Sequence, residues 1–184
     1  MGNPLQDRRT PQDLAANGQI IEIAEKIGDL ERLAGIIETD LDALDPDKLP
    51  AEWQSSVVTG RLEFGFADAH KRVAVLDGHL EATIDAVCQR CLEPFQMPLV
   101  IELRWKFGGD NAAAVDDGYE NWELAEDTLR PLDVVEEALI MAMPFTAMHD
   151  DDPHCTKPDV AVQAGTGKTQ PFATLKSQME DDAQ

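Results

Sequence analysis

Positive charge is scarce in this sequence. Its 184 residues hold 15 lysines and arginines against 36 aspartates and glutamates, a formal net charge of −21 and a pI near 4.3. Proteins whose main task is to coat phosphates carry a basic patch or a basic pI, and this chain as a whole lacks that balance. Long apolar runs are missing as well. None approaches the ~18–20 residues of a membrane span, and residues 1–10 are polar, without the apolar stretch of a secretory leader. The three cysteines are too few, and odd in number, for a complete disulfide framework. A reducing, cytoplasmic setting with free or metal-bound thiols follows as the expectation. The sequence has no internal repeat, and no grouping of serine, cysteine and histidine stands out as a catalytic triad.

The charge is also uneven. Between Arg61 and Phe107 six basic residues face seven acidic ones, so that stretch is near −1 and the rest of the chain carries about −20. Such a surface suits a basic partner protein, or serves solubility alone.

Residues 1–19 contain Pro4, Pro11, Asn17 and Gly18 as breakers and read as a flexible lead. Ile20 to Ile23 could pair as a strand. Asp29 opens a helical pattern with Leu30, Leu33, Ile36 and Ile37 on one face, and residues 38–52, acidic and broken by Pro46 and Pro50, read as a loop. A series of strands follows. Val58, Leu62, Phe64 and Phe66 keep a period of two, and Asp77-Gly78 carries the two-residue hairpin signal. Leu80, Ala82, Ile84, Ala86 and Cys88 then alternate with polar residues. The last strand is the cleanest: Phe95, Met97, Leu99, Ile101, Leu103, Trp105 and Phe107 face one way. Strict alternation implies one buried and one wet face, hence an antiparallel sheet. Pro98 lacks an N–H and belongs at an edge or a bulge. Residues 108–127 read as a mobile acidic loop. Pro131 starts a helix with Leu132, Val135, Leu139 and Ala142 at helical spacing, stopped by Pro144. The expected fold class is α+β: an antiparallel β-sheet meander over about residues 56–107, packed against one or two helices. In this division residues 1–19 are the lead, residues 20–147 the α+β domain with a CxxC hairpin, and residues 148–184 an acidic loop with a short helix begun at Pro171.

Two constellations could carry chemistry. Cys88-Gln89-Arg90-Cys91 sits between two strong strands, where two sulfurs three residues apart can point at one centre, as in half of a zinc knuckle. Cys155 with His149 or His154 could complete a tetrahedral Cys₃His set. A reduced thiol pair packed at a sheet corner is the plain alternative. A thiol-redox role is a third reading, disfavoured because Pro94 and a strand follow the motif where a thioredoxin-like protein starts a helix. The second constellation, Gly165-Thr-Gly-Lys-Thr169, ends like a phosphate-binding loop. Val162 occupies the position that needs glycine and Pro171 breaks the following helix, so it reads as a linker. The run Asp150-Asp151-Asp152 could hold a divalent cation but reads as a solvated loop. If the near-neutral sheet touches RNA, Arg61, Arg90, Arg104 and Lys106 are the cations to do it, with Arg61, Arg104 and Lys106 on its wet side.

The segments Arg72-Val-Ala-Val-Leu-Asp-Gly78 and Val87-Cys-Gln-Arg-Cys-Leu-Glu-Pro-Phe95 closely resemble the YceD family of bacterial proteins. So do the helix Val134 to Pro144, the pair His149-Asp150, the later Cys155 and the closing Pro171-Phe-Ala-Thr-Leu175. The resemblance runs in order over roughly residues 55–176. Leu92 stands where some members have glycine, and Gln170 where asparagine is common. The resemblance implies a non-enzymatic role in synthesis, processing or stability of large-subunit (23S) ribosomal RNA. A basic ribosomal protein or the precursor particle would be the partner, with RNA contact direct or indirect, and with no membrane and no small-molecule substrate.

Overall fold

The alternation of β4, Pro94–Phe107, organises the molecule. Its odd positions from Met97 to Phe107 are buried, and its even positions are exposed as far as Arg104. In the computed structural model, which describes residues 3–70, 72–107, 118–149 and 155, this strand pairs along its whole length with β3, Ala74–Val87. β3 pairs antiparallel with β2, Val57–Phe66, and β2 with β1, Ile20–Lys26. A short β5, Glu120–Trp122, adds to the far side of β4 in parallel, so the sheet order is β1-β2-β3-β4-β5. The fold is α+β.

Among the described residues, three helices cover the apolar face. α1, Pro11–Ala16, is capped by the Thr10 hydroxyl, which accepts the Asp13 N–H at 3.0 Å, and it buries Leu14 and Ala15. α2, Glu31–Leu41, buries Leu33, Ile37 and Leu41 at helical spacing. α3, Pro131–Ala142, has proline in its first turn and buries Leu132, Val135 and Leu139. All join one apolar core with Ile21, Ile23, Leu62, Leu76, Leu80 and the inner face of β4. The residue preceding α2, Leu30, offers no capping side chain. The carboxylate of Glu136 on α3 replaces it: it accepts the N–H of Arg32 at 2.6 Å and of Leu33 at 3.1 Å, and Glu136 is itself buried.

Several expectations are corrected. Of the stretch 1–19 read as a flexible lead, the described residues from 3 onward are packed, because Leu5 and Leu14 are buried and Arg9 bridges to Leu129. The helix α2 runs four residues into the stretch read as a loop, since Leu41 adds a turn to its apolar face. No turn forms at Asp77-Gly78, which lies inside β3. Gly78 is needed there for close packing: a Cβ would meet Leu62 Cδ2 at 2.9 Å. The β2–β3 connection instead spans residues 67–73, where the Asp68 carboxylate accepts the N–H groups of Arg72 at 2.8 Å and Val73 at 3.1 Å. The sheet extends beyond residues 56–107, with β1 before it and β5 after it. Of the stretch read as a mobile loop, residues 118–127 include β5, whose Trp122 stacks on Trp105 at 4.0 Å between ring centroids. Pro98 lies where β5 does not reach, on the edge portion of β4. Asp150–Asp152, the Gly165–Thr169 segment and the helix expected at Pro171 lie outside the described residues.

Candidate metal centre

Cys88 continues the inward phase of Leu80, Ala82, Ile84 and Ala86 and is fully buried at the end of β3. The connection to β4 then tightens into a turn. The Cys88 N–H donates to the Glu93 carbonyl at 3.0 Å, and the Leu92 N–H donates to the Cys88 carbonyl at 2.8 Å. Leu92 takes φ 61°, the left-handed conformation that glycine adopts without strain. The turn brings Cys91 back beside Cys88.

The second half of the cluster comes from the segment after α3. Once Pro144 has stopped the helix, the chain runs back over the β3–β4 tip. There the Gln89 N–H donates to the Ala147 carbonyl at 2.8 Å. The His149 ring lies against Phe95 with centroids 4.7 Å apart, and the Arg90 guanidinium reaches Met148 Sδ at 3.7 Å. These contacts set His149 Nδ1 at 3.5 Å from Cys91 Sγ, while Cys155 Sγ lies 3.5 Å from Cys88 Sγ. All four donor atoms, of Cys88, Cys91, His149 and Cys155, fall within 4.8 Å of one another. A tetrahedral zinc with metal–sulfur bonds near 2.3 Å and metal–nitrogen bonds near 2.0–2.1 Å implies edges of about 3.8 Å between sulfurs and about 3.5 Å from sulfur to nitrogen. The two 3.5 Å approaches lie near those edges, and no pair of donors exceeds 4.8 Å. Of the two histidines considered, His149 is in it, and His154 lies outside the described residues.

The protonation of the thiols is lopsided. Burial pushes the Cys88 thiol up, but the backbone N–H groups of Cys91, His149 and Arg90, with the Cys155 thiol, outweigh it and hold Cys88 down at about 5. Burial and the neighbouring Cys88 and Cys91 push Cys155 up to about 11. Negative charge is therefore favoured at Cys88 and costs more when repeated next to it, a conflict that a cation resolves. With Cys88 fully buried and Cys155 only 7% exposed, an incoming disulfide has little access to either sulfur.

The four cations considered for RNA contact do not converge. Arg61 and Arg104 share the outer face of the sheet, but Arg61 pairs with Glu63 at 2.7 Å and Glu22 at 3.6 Å. Arg104 lies over the Tyr119 ring at 4.5 Å and pairs with Asp77 at 3.8 Å. Arg90 stands at the other end of β4, at the hairpin tip. Lys106 corrects the wet-side expectation: it is only 4% exposed, beside its equally buried cross-strand neighbour Val75, so this end of the outer face is covered. Sequence reasoning missed Phe95 and Ala147 as the groups that seat His149. The apolar residues that follow Pro144, namely Phe145, Ala147 and Met148, were the available signal, since a plain solvated loop has no need of them. Nothing in the sequence announced Tyr119, which also donates to Asp77 at 2.8 Å.

A model of the protein family described as "Large ribosomal RNA subunit accumulation protein YceD" matches residues 76–181, a span that includes all four donors of the cluster. A curated protein of Haemophilus influenzae with the same description is 31% identical over 88 residues, covering 46% of this chain and 50% of that protein. The chain thus spans about half the length of this relative. No solved structure matches the chain. No helix among the described residues is long and apolar enough to cross a membrane.

Proposed function

The chain belongs to the YceD family, and on that footing we propose that it is a non-catalytic cytoplasmic factor supporting the accumulation of large-subunit ribosomal RNA. The observation that carries this reading is the family match over residues 76–181. It acts through a basic ribosomal protein or the precursor particle, and its effect on RNA is indirect. Two features support that mechanism. The net charge of −21 repels a polyanion and attracts a cationic protein. On the outer face of the sheet both arginines already have carboxylate partners: Arg61 has Glu22 and Glu63, and Arg104 has Asp77. A phosphate would have to displace those acids, whereas a basic protein could use them.

The thiol-redox alternative finds less support, because Cys88, whose thiol is held down at about 5, has no exposed surface from which to attack a substrate. Depletion of the protein in its own host tests the proposal. The amount of 23S relative to 16S ribosomal RNA should fall, and recover when the chain is resupplied. An unchanged ratio in depleted cells contradicts the proposal.

A further inference from the structure

The geometry points to a closed structural zinc site at Cys88, Cys91, His149 and Cys155, which clamps the segment following α3 onto the tip of the β3–β4 hairpin. Three thiols and one imidazole are a donor set that selects Zn²⁺ over the hard cations Mg²⁺ and Ca²⁺, which take oxygen ligands. Four protein ligands fill a tetrahedron and leave no open position for water or substrate, so the site builds structure and activates no water. The donors come from two stretches separated by the whole of β4 and α3, and two of the approaches, Cys88 to Cys155 and Cys91 to His149, are 3.5 Å each.

Independent contacts show that the second stretch is seated before any metal is considered. The Gln89 N–H bonds to Ala147, and Phe95 packs on the His149 ring. What those contacts gather is three sulfur atoms, two of them buried, and one imidazole, with no carboxylate among the donors of the described residues. The clamp has a visible consequence. A groove runs between the start of β4 and the chain after α3, lined by Phe95, Met97, Pro144 and Met148, with Arg90 and His149 at one end. His149 is at once a ligand and a wall of that groove, so the metal sets its shape.

The test uses the full chain, purified without chelator and under reducing conditions. Elemental analysis should give about one zinc per chain. Exchange for Co²⁺ should produce the visible bands of a tetrahedral ion together with sulfur-to-metal charge transfer. Cys91→Ser and His149→Ala should each weaken Co²⁺ binding by more than about 100-fold, since loss of an outer partner alone costs about 10–100-fold. His154→Ala and His79→Ala should retain it. Should a ligand variant fail to fold, the wild-type chain decides. Chelation should speed thiol labelling of all three cysteines and raise hydrogen exchange at the Gln89 amide, and added Zn²⁺ should reverse both. A folded wild-type chain that contains no zinc and shows no Co²⁺ charge transfer overturns the proposal. So does a native mass showing a Cys88–Cys155 disulfide in place of metal. Loss of binding in His154→Ala with retention in His149→Ala overturns the ligand assignment.

Discussion

Removing Glu136 should destabilise the fold far more than its place on a helix of a highly acidic protein suggests. Glu136 is 5% exposed, and its carboxylate accepts two N–H groups at the start of α2, from Arg32 at 2.6 Å and Leu33 at 3.1 Å. The first N–H groups of a helix have no partner within it, and Leu30 supplies none. In Glu136→Ala at least the Leu33 N–H, which is buried, is left without an acceptor, at about 1–3 kcal/mol. Loss of a capping group costs about 0.5–2 kcal/mol, part of it the favourable placement of a negative charge at the positive end of the helix. These ranges overlap in what they count, so the expected loss is about 2–4 kcal/mol, a large share of a typical total of about 5–15 kcal/mol. For a chain of this length each kcal/mol lowers the midpoint by about 2–4 °C, which gives a drop of about 5–15 °C. Glu136→Gln keeps one carbonyl acceptor and should lose about half as much. Urea unfolding followed by circular dichroism, with equal slopes required across the variants, measures the difference. A loss under about 0.5 kcal/mol in Glu136→Ala, the scatter of ordinary surface changes, would refute the reasoning.

Ile101→Asp buries a carboxylate on the core face of β4 at a cost of several kcal/mol and should unfold the domain, whereas Glu102→Ala, whose side chain is 73% exposed, should leave the thermal midpoint almost unchanged; equal midpoints contradict the register of β4. The pKa of His79 is raised by its hydrogen bond to Glu81 and then by that to Glu102, so its folded value lies above the ordinary 6.5. The sign follows: its contribution to stability is fully present below about pH 6.5 and is lost as pH rises through the folded value. An NMR titration of the ring should place the midpoint above 6.5 and show it falling in both Glu81→Gln and Glu102→Gln, and an unshifted midpoint refutes the pairing.

Strand β4 was legible because thirteen residues hold a strict period, and one buried face follows from that pattern alone. Lys106 broke it for a reason no strand pattern contains: the covering of one end of the outer face. Asp77-Gly78 misled because the dipeptide satisfies a turn rule locally, while Leu76 and Leu80 on either side keep the inward phase of one continuous strand. The true turn depends on the Asp68 side chain folding back on its own backbone, a weaker signal than Asn-Gly or Asp-Gly. With three residues, β5 is too short to show a period, and its parallel pairing is a tertiary fact. The half-site Cys88/Cys91 was legible from spacing, and Cys155 from its residue type. That His149 joins the cluster rests on how the chain leaves α3 and where Phe95 and Gln89 receive it, which spacing does not encode.

The central claim is that this acidic protein acts on the large ribosomal subunit through protein contact. Affinity capture of the chain from its host's lysate, with and without ribonuclease and across a salt series, tests it most directly. A basic large-subunit protein should stay bound after ribonuclease, be released as salt rises, and be lost when Asp150, Asp151 and Asp152 are neutralised, while Arg104→Glu should have little effect. Ribosomal proteins that leave once the RNA is digested, in a complex that collapses with Arg104→Glu and ignores the acidic changes, would contradict it.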